Sequence, residues 1–204
     1  MPDSSHTPTL VLKPENPHQL LDLGLAFNRP GTLELEIDLG CGKGRFLLAR
    51  ALASRETCFL GIDRRRMRIA KIERAALRMH LENIRLICGE NCQAVETLVP
   101  AGSVRTYYLF FPDPWPKRRH HRRRLFDARF LDAVHRTLRH GGKIHIATDH
   151  AGYFEIISRI LSADGRFEAC DAFIPAESER TNFEIIFMGQ AKPIGRCSFR
   201  KILP

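Results

Sequence analysis

Two stretches of this chain carry side chains whose types and spacing suit chemistry. The first is Glu36-Ile-Asp-Leu-Gly40-Cys-Gly42-Lys-Gly44. Glycines this close together let backbone approach a nucleotide. Asp63 follows about twenty residues on, where a carboxylate can accept hydrogen bonds from both hydroxyls of a ribose. The second stretch runs from Phe110 to Arg124. Its prolines fix φ and hold Asp113 in place. Residues 117–124 contain six Lys or Arg and two His. Cations crowded into one loop repel each other unless an anion offsets them, and a nucleic-acid backbone is the anion expected.

Each feature also has a plainer reading. The glycines alone are compatible with a turn that binds nothing. Asp63 is well placed to cap a helix starting at Arg64, and Glu90 and Asn91 to cap the next one. A charge run is often a solvated face. Trp115 suits stacking on a base or packing the loop against the core. A dinucleotide fingerprint is disfavoured because Arg45 stands where its third glycine belongs. His120 and His121 lie inside a cationic run that repels a metal, so they belong to the basic patch. Cys88 and Cys92 lack partners at zinc spacing. No metal is expected.

These residues need a frame. The 204 residues suit one domain, and Lys plus Arg exceed Asp plus Glu by nine. No apolar run approaches the ~18 residues that cross a bilayer. The first residues have neither a basic nor an apolar leader, so a cytoplasmic protein with free thiols is expected and no membrane partner. Residues 1–30 read as a loosely ordered arm. Short apolar runs then alternate with helical patterns, which indicates a layered α/β fold. Strands are expected at 33–39, 57–62, 83–88, 103–111 and 143–148, with weaker ones at 167–173 and 193–199. Helices are expected at 44–53, 64–81, 94–98, 127–138 and 153–161, the fourth closed by Gly141-Gly142. Residues 175–184 read as a polar loop. Asp63, Asp113 and Asp149 close successive strands, and ligands of open parallel sheets bind beyond those strand ends.

The glycine loop resembles motif I of class I methyltransferases. The chain as a whole, from about Leu33 to Phe199, resembles the bacterial tRNA (guanine-N7-)-methyltransferase family. The most specific element is F-P-D-P-W-P-K-x-R-H-x-x-R-R at Phe111 to Arg124. Others are E-I-x-x-G-x-G at Glu36 to Gly42, G-I-D at Gly61 to Asp63, A-T-D at Ala147 to Asp149 and T-x-F-E at Thr181 to Glu184. Ile185 to Met188 stands where the family often has a polar segment with an Arg.

The resemblance implies a Rossmann-like class I methyltransferase fold. That is α/β, with a mostly parallel seven-stranded sheet and helices on both faces. It implies S-adenosylmethionine as cofactor and tRNA as partner, with methyl transfer to N7 of a guanine in the variable loop. Glu36, Gly40, Gly42, Asp63, Glu90, Asn91 and Asp113 would contact the cofactor. Lys117, Asp149, Thr181, Asn182, Phe183 and Glu184 would contact the substrate. Arg118, Arg119, Arg122, Arg123 and Arg124 would contact the tRNA backbone, and Asp113 would be catalytic. The alternatives are a methyltransferase acting on protein or a small molecule, and an RNA-binding relative without catalysis.

Overall fold

The computed structural model describes residues 9–14, 16, 19–114 and 125–203. Seven strands form one sheet in the order β3-β2-β1-β4-β5-β7-β6. They are β1 Leu35–Leu39, β2 Cys58–Asp63, β3 Ile84–Cys88, β4 Val104–Phe110, β5 Leu138–Thr148, β6 Phe167–Cys170 and β7 Gly195–Lys201. Strands β1 to β5 pair in parallel, and β7 runs antiparallel between β5 and β6. This is the α/β frame expected from the resemblance.

The central strands explain their own position. Every residue of β1 and β2 is buried, as expected of parallel strands covered on both faces. One apolar cluster gathers Leu35, Ile37, Leu60, Val95, Phe130 and Tyr153 among others. A second gathers Leu47, Phe59, Ile69, Ile72 and Leu86. The covering helices are α1 Leu23–Phe27, α2 Arg45–Ala53, α3 Arg66–Arg78, α4 Asn91–Leu98, α5 Ala128–Thr137, α6 Ala151–Ala163 and α7 Asn182–Gly189. Strand order reverses between β1 and β4, which opens a crevice beyond their carboxyl ends.

Two expectations change. The segment 175–184 is no plain loop: a 3₁₀ turn at Glu177–Glu179 leads into α7. Thr181 and Glu184 have the spacing of a capping box, and the Thr181 hydroxyl accepts the Glu184 amide at 3.0 Å. Gly141-Gly142 does not close a helix. Helix α5 ends at Thr137, and the glycines lie inside β5, where the pairing with β4 shifts register and Gly141 takes φ 73°.

The arm is pinned where it is described. The Leu86 amide donates to the Leu10 carbonyl at 2.9 Å and the Leu12 amide to the Leu86 carbonyl at 2.8 Å. Glu73 accepts from the Thr9 hydroxyl at 3.0 Å and from the Leu10 and Val11 amides at 2.9 and 3.3 Å. This short segment therefore covers the free edge of β3, which otherwise leaves strand groups unpaired.

Candidate active site

The crevice at the strand reversal is a cavity of about 310 Å³. The glycine loop forms its floor. Gly40, Gly42 and Gly44 all have positive φ, at 75°, 58° and 78°, which only glycine adopts at little cost. Gly44 is needed for a second reason: a Cβ there would lie 2.5 Å from the Ile72 side chain. Its absence lets α2 and α3 close beside the loop. The Gly40 and Cys41 amides donate to the Ile62 carbonyl at 2.8 and 3.0 Å, tying the loop to β2.

Asp63 ends β2 and braces this loop from the side. Its carboxylate accepts the Gly42 amide at 3.1 Å, the Arg65 amide at 2.8 Å and the Arg68 guanidinium at 3.2 Å. Glu90 caps α4 by accepting the Gln93 amide at 3.2 Å. Asn91 opens α4 with its amide nitrogen beside Gly40. Its side-chain oxygen is buried and has no partner among the described residues. All three residues line the cavity.

Glu36 does not. It is buried beneath the sheet face, where Arg50 holds it at 3.0 Å, the Tyr108 hydroxyl donates to it at 2.9 Å and Arg105 pairs with its other oxygen. The acid that lines the cavity from β1 is Asp38. The sequence expectation puts the cofactor acid at Glu36, two residues earlier. The side chain is buried, and no hydrogen bond or ion pair to it appears among the described residues. Burial, together with the nearby Asp63 charge, pushes its carboxyl up to about 7. A signal was present in the sequence, since Asp38 is the acid nearer the strand end, where ligands bind.

The opposite wall comes from β4 and α7. Phe111, Pro112 and Asp113 line it, with Thr181, Asn182, Phe183 and Ile186. Asp113 is 68% exposed and faces Arg64 at 3.5 Å. Phe111 sits at φ 52°, rare for a bulky residue, so the backbone there is strained. Its amide donates to the Ala147 carbonyl at 2.7 Å, which pins the turn.

Two other expected substrate residues lie off the cavity. Glu184 is buried and paired with Arg196. Each partner keeps one buried atom, Oε2 and Nη1, without a hydrogen bond among the described residues. Asp149 follows β5 on the same rim, outside the lining. Lys117, Arg118, Arg119, Arg122, Arg123 and Arg124, with Trp115, lie outside the described residues. The ends of their segment do not: Asp113 and Leu125 both line the cavity.

A network below the sheet joins the two walls. Arg50 of α2 holds Glu36 on one side and Glu179 at 3.2 Å on the other. Arg45, at the start of the same helix, donates to the Arg180 carbonyl at 2.9 Å. The helix that follows the glycine loop therefore also carries the segment that delivers Thr181. Phe46 packs edge-on to Tyr108 and Phe110, closing the same contact with rings.

The geometry invites comparison with known proteins. A family model described as "Putative methyltransferase" matches residues 33–186. The tRNA (guanine-N7-)-methyltransferase of Nitrosococcus oceani is 39% identical over 182 residues, which are 89% of this chain and 76% of that protein. The chain belongs to the tRNA (guanine-N7-)-methyltransferase family. The tRNA (guanine-N7-)-methyltransferase of Aliivibrio fischeri strain MJ11 is 37% identical, over 81% of this chain and 71% of that protein.

Solved structures share the fold of this methyltransferase at low identity. The 16S rRNA methyltransferase KamB superposes with a TM-score of 0.62 at 14% identity, covering 91% of this chain and 95% of KamB. An rRNA methylase from Streptococcus thermophilus gives 0.55 at 15%, covering 84% and 88%.

Proposed function

We propose that this chain transfers the methyl group of S-adenosylmethionine to N7 of a guanine in tRNA, in the variable loop. Family membership supports the reaction. The single structural observation that carries it is the cavity itself, lined by Asp113, Thr181 and a buried carboxylate that has no partner among the described residues. S-adenosylmethionine is a cation with a ribose and an adenine. Asp38 fits its charge, Asp63 its hydroxyls, and the unpartnered Asn91 oxygen a donor on the adenine.

When bound, the cofactor supplies a methyl on a sulfonium, an electrophile that leaves behind a neutral thioether. Guanine N7 carries an in-plane lone pair and needs no deprotonation. The protein's main task is then to place two reactants in line. Asp113 orients the guanine by accepting its N1 and N2 hydrogens, and its charge offsets the positive charge that grows on the base. The exposed pair with Arg64 is weak enough to open for this. Thr181, Asn182 and Phe183 complete the substrate wall, with Asp149 and Glu184 near it; Lys117 is assigned to the substrate through the family motif alone. The arginines at 118, 119 and 122–124 hold backbone phosphates of the tRNA. A cytoplasmic location accords with a tRNA substrate.

Mapping tests this reading. Reduction and aniline treatment cleave RNA at 7-methylguanosine. Cleavage of enzyme-treated tRNA at one variable-loop guanine is expected. Cleavage elsewhere would overturn the position, and none would overturn the N7 chemistry.

A further inference from the structure

Helix α7 exposes more apolar surface than its eight residues explain. Phe183 is 51% exposed, Ile185 43%, Ile186 50% and Met188 47%. A surface helix usually turns its apolar stripe to the core. Here the buried residue is the polar Glu184, held by Arg196, and the aliphatic side chains face outward. A contiguous exposed apolar patch marks an interaction site.

The patch is continuous with the candidate site. Phe183 and Ile186 line the cavity that holds Asp38 and Asp113. Phe183 stacks on Phe187, with centroids 5.9 Å apart and planes at 16°. Phe111 meets both rings, at 6.1 and 5.4 Å. The strained backbone at Phe111 carries its ring into this ledge. Lys192 adds a cation 4.9 Å from the Phe187 ring.

We propose that the exposed face of α7 is a stacking surface for unpaired nucleobases that flank the target guanine. This rests on the tRNA reading above. Loop bases of RNA can be splayed out of their stack, which exposes edges such as guanine N7. A methyl donor buried at Asp38 reaches it only after the nucleotide is drawn out of its stack. That step unstacks the neighbours, and aromatic and aliphatic side chains compensate by giving them a new surface. Charge selects the occupant. Lys43, Arg45, Arg64, Arg65 and Arg68 rim the same cavity and the chain carries a net charge of +9. A second copy would press two basic faces together, whereas RNA brings phosphates.

The test pairs protein variants with altered RNA. The substrates are an intact tRNA and the same tRNA with abasic sites on both sides of the methylated guanine. The variants are Phe183→Ala and the double change Ile185→Asn with Met188→Gln. On intact tRNA each variant should lose about tenfold or more in kcat/KM, chiefly through KM. Affinity of the double variant, whose residues lie off the cavity lining, for S-adenosylmethionine should stay as in wild type, which shows that the fold is kept. On the abasic tRNA wild type should already be impaired, and the variants should lose less than twofold further. Equal losses on both substrates, or none on either, would overturn the stacking surface. So would a wild-type dimer in sedimentation that the double variant abolishes. Absence of 7-methylguanosine from wild type on intact tRNA would instead overturn the reading beneath it.

Discussion

Arg50 and Glu179 meet at 3.2 Å although 129 positions separate them in the chain. The same guanidinium holds Glu36 of β1 at 3.0 Å. One side chain thus fixes the segment that precedes Thr181 to the strand that carries the glycine loop. Arg50→Met leaves two carboxylates short of a cation, one of them fully buried. Removing one partner of a buried pair costs about 3 kcal/mol or more. Urea unfolding of the variant should show a loss of that order. Its KM for tRNA should rise more than its affinity for S-adenosylmethionine falls. Arg50→Lys should recover part of the stability and less of the KM, because an ammonium cannot hold two acids in the planar arrangement of a guanidinium.

Asp38 and Glu36 predict opposite phenotypes. Asp38→Asn removes the acid proposed to meet the cofactor's positive charge. At pH 8, affinity for S-adenosylmethionine should drop roughly ten- to a hundredfold, the scale of one charged hydrogen bond. Stability should hold or rise. Glu36→Gln leaves Arg50 and Arg105 facing a neutral group, so stability should fall while cofactor affinity changes little. Equilibrium dialysis and urea titration of both variants decide the matter. A reversed pattern would return the cofactor acid to Glu36.

The pH dependence follows from the Asp38 carboxyl, raised from 3.8 to about 7. The folded protein binds this proton more tightly than the unfolded chain. The stability it contributes is therefore full below about pH 4 and is lost as pH rises through 7. Cofactor binding runs the other way, since it needs the ionised form. Affinity should climb from pH 5 to 7 and level off above. Asp38→Asn should flatten both curves.

On the proposed reading, the basic run supplies binding and not chemistry. Arg122→Ala with Arg123→Ala should weaken tRNA affinity uniformly across sequences. It should also lower the slope of log affinity against log salt by about 1 to 2. Single-turnover rates at saturating tRNA should be near wild type. An unchanged slope would remove these arginines from the phosphate contact.

Much of the fold was legible because the central strands are buried on both faces and have Gly, Asp or Pro at or just past their ends. β1, β2 and β4 fall within two residues of their expected bounds. Glu36 and Asp38 were harder to separate. Two residues apart on a strand, they share a face, and only depth along the strand distinguishes them. The side chains that claim Glu36 come from α2 and β4, and no local pattern announces Arg50 or Arg105. Helix α7 is hard to see in the sequence because its capping residues, Thr181 and Glu184, equally suit substrate contacts. The apolar run behind them has no polar face to set a helical period. The pinned arm was missed for a similar reason. Leu10 to Leu12 is too short to read as a strand, and its partner Glu73 lies 62 to 64 positions away.

The central claim is methyl transfer to guanine N7 in tRNA. It is tested most directly by incubating the protein with unmodified tRNA and methyl-labelled S-adenosylmethionine, then digesting the RNA and identifying the labelled nucleoside. The account predicts label in 7-methylguanosine, lost in the Asp113→Asn variant. Label in any other nucleoside, or in protein alone, would contradict it.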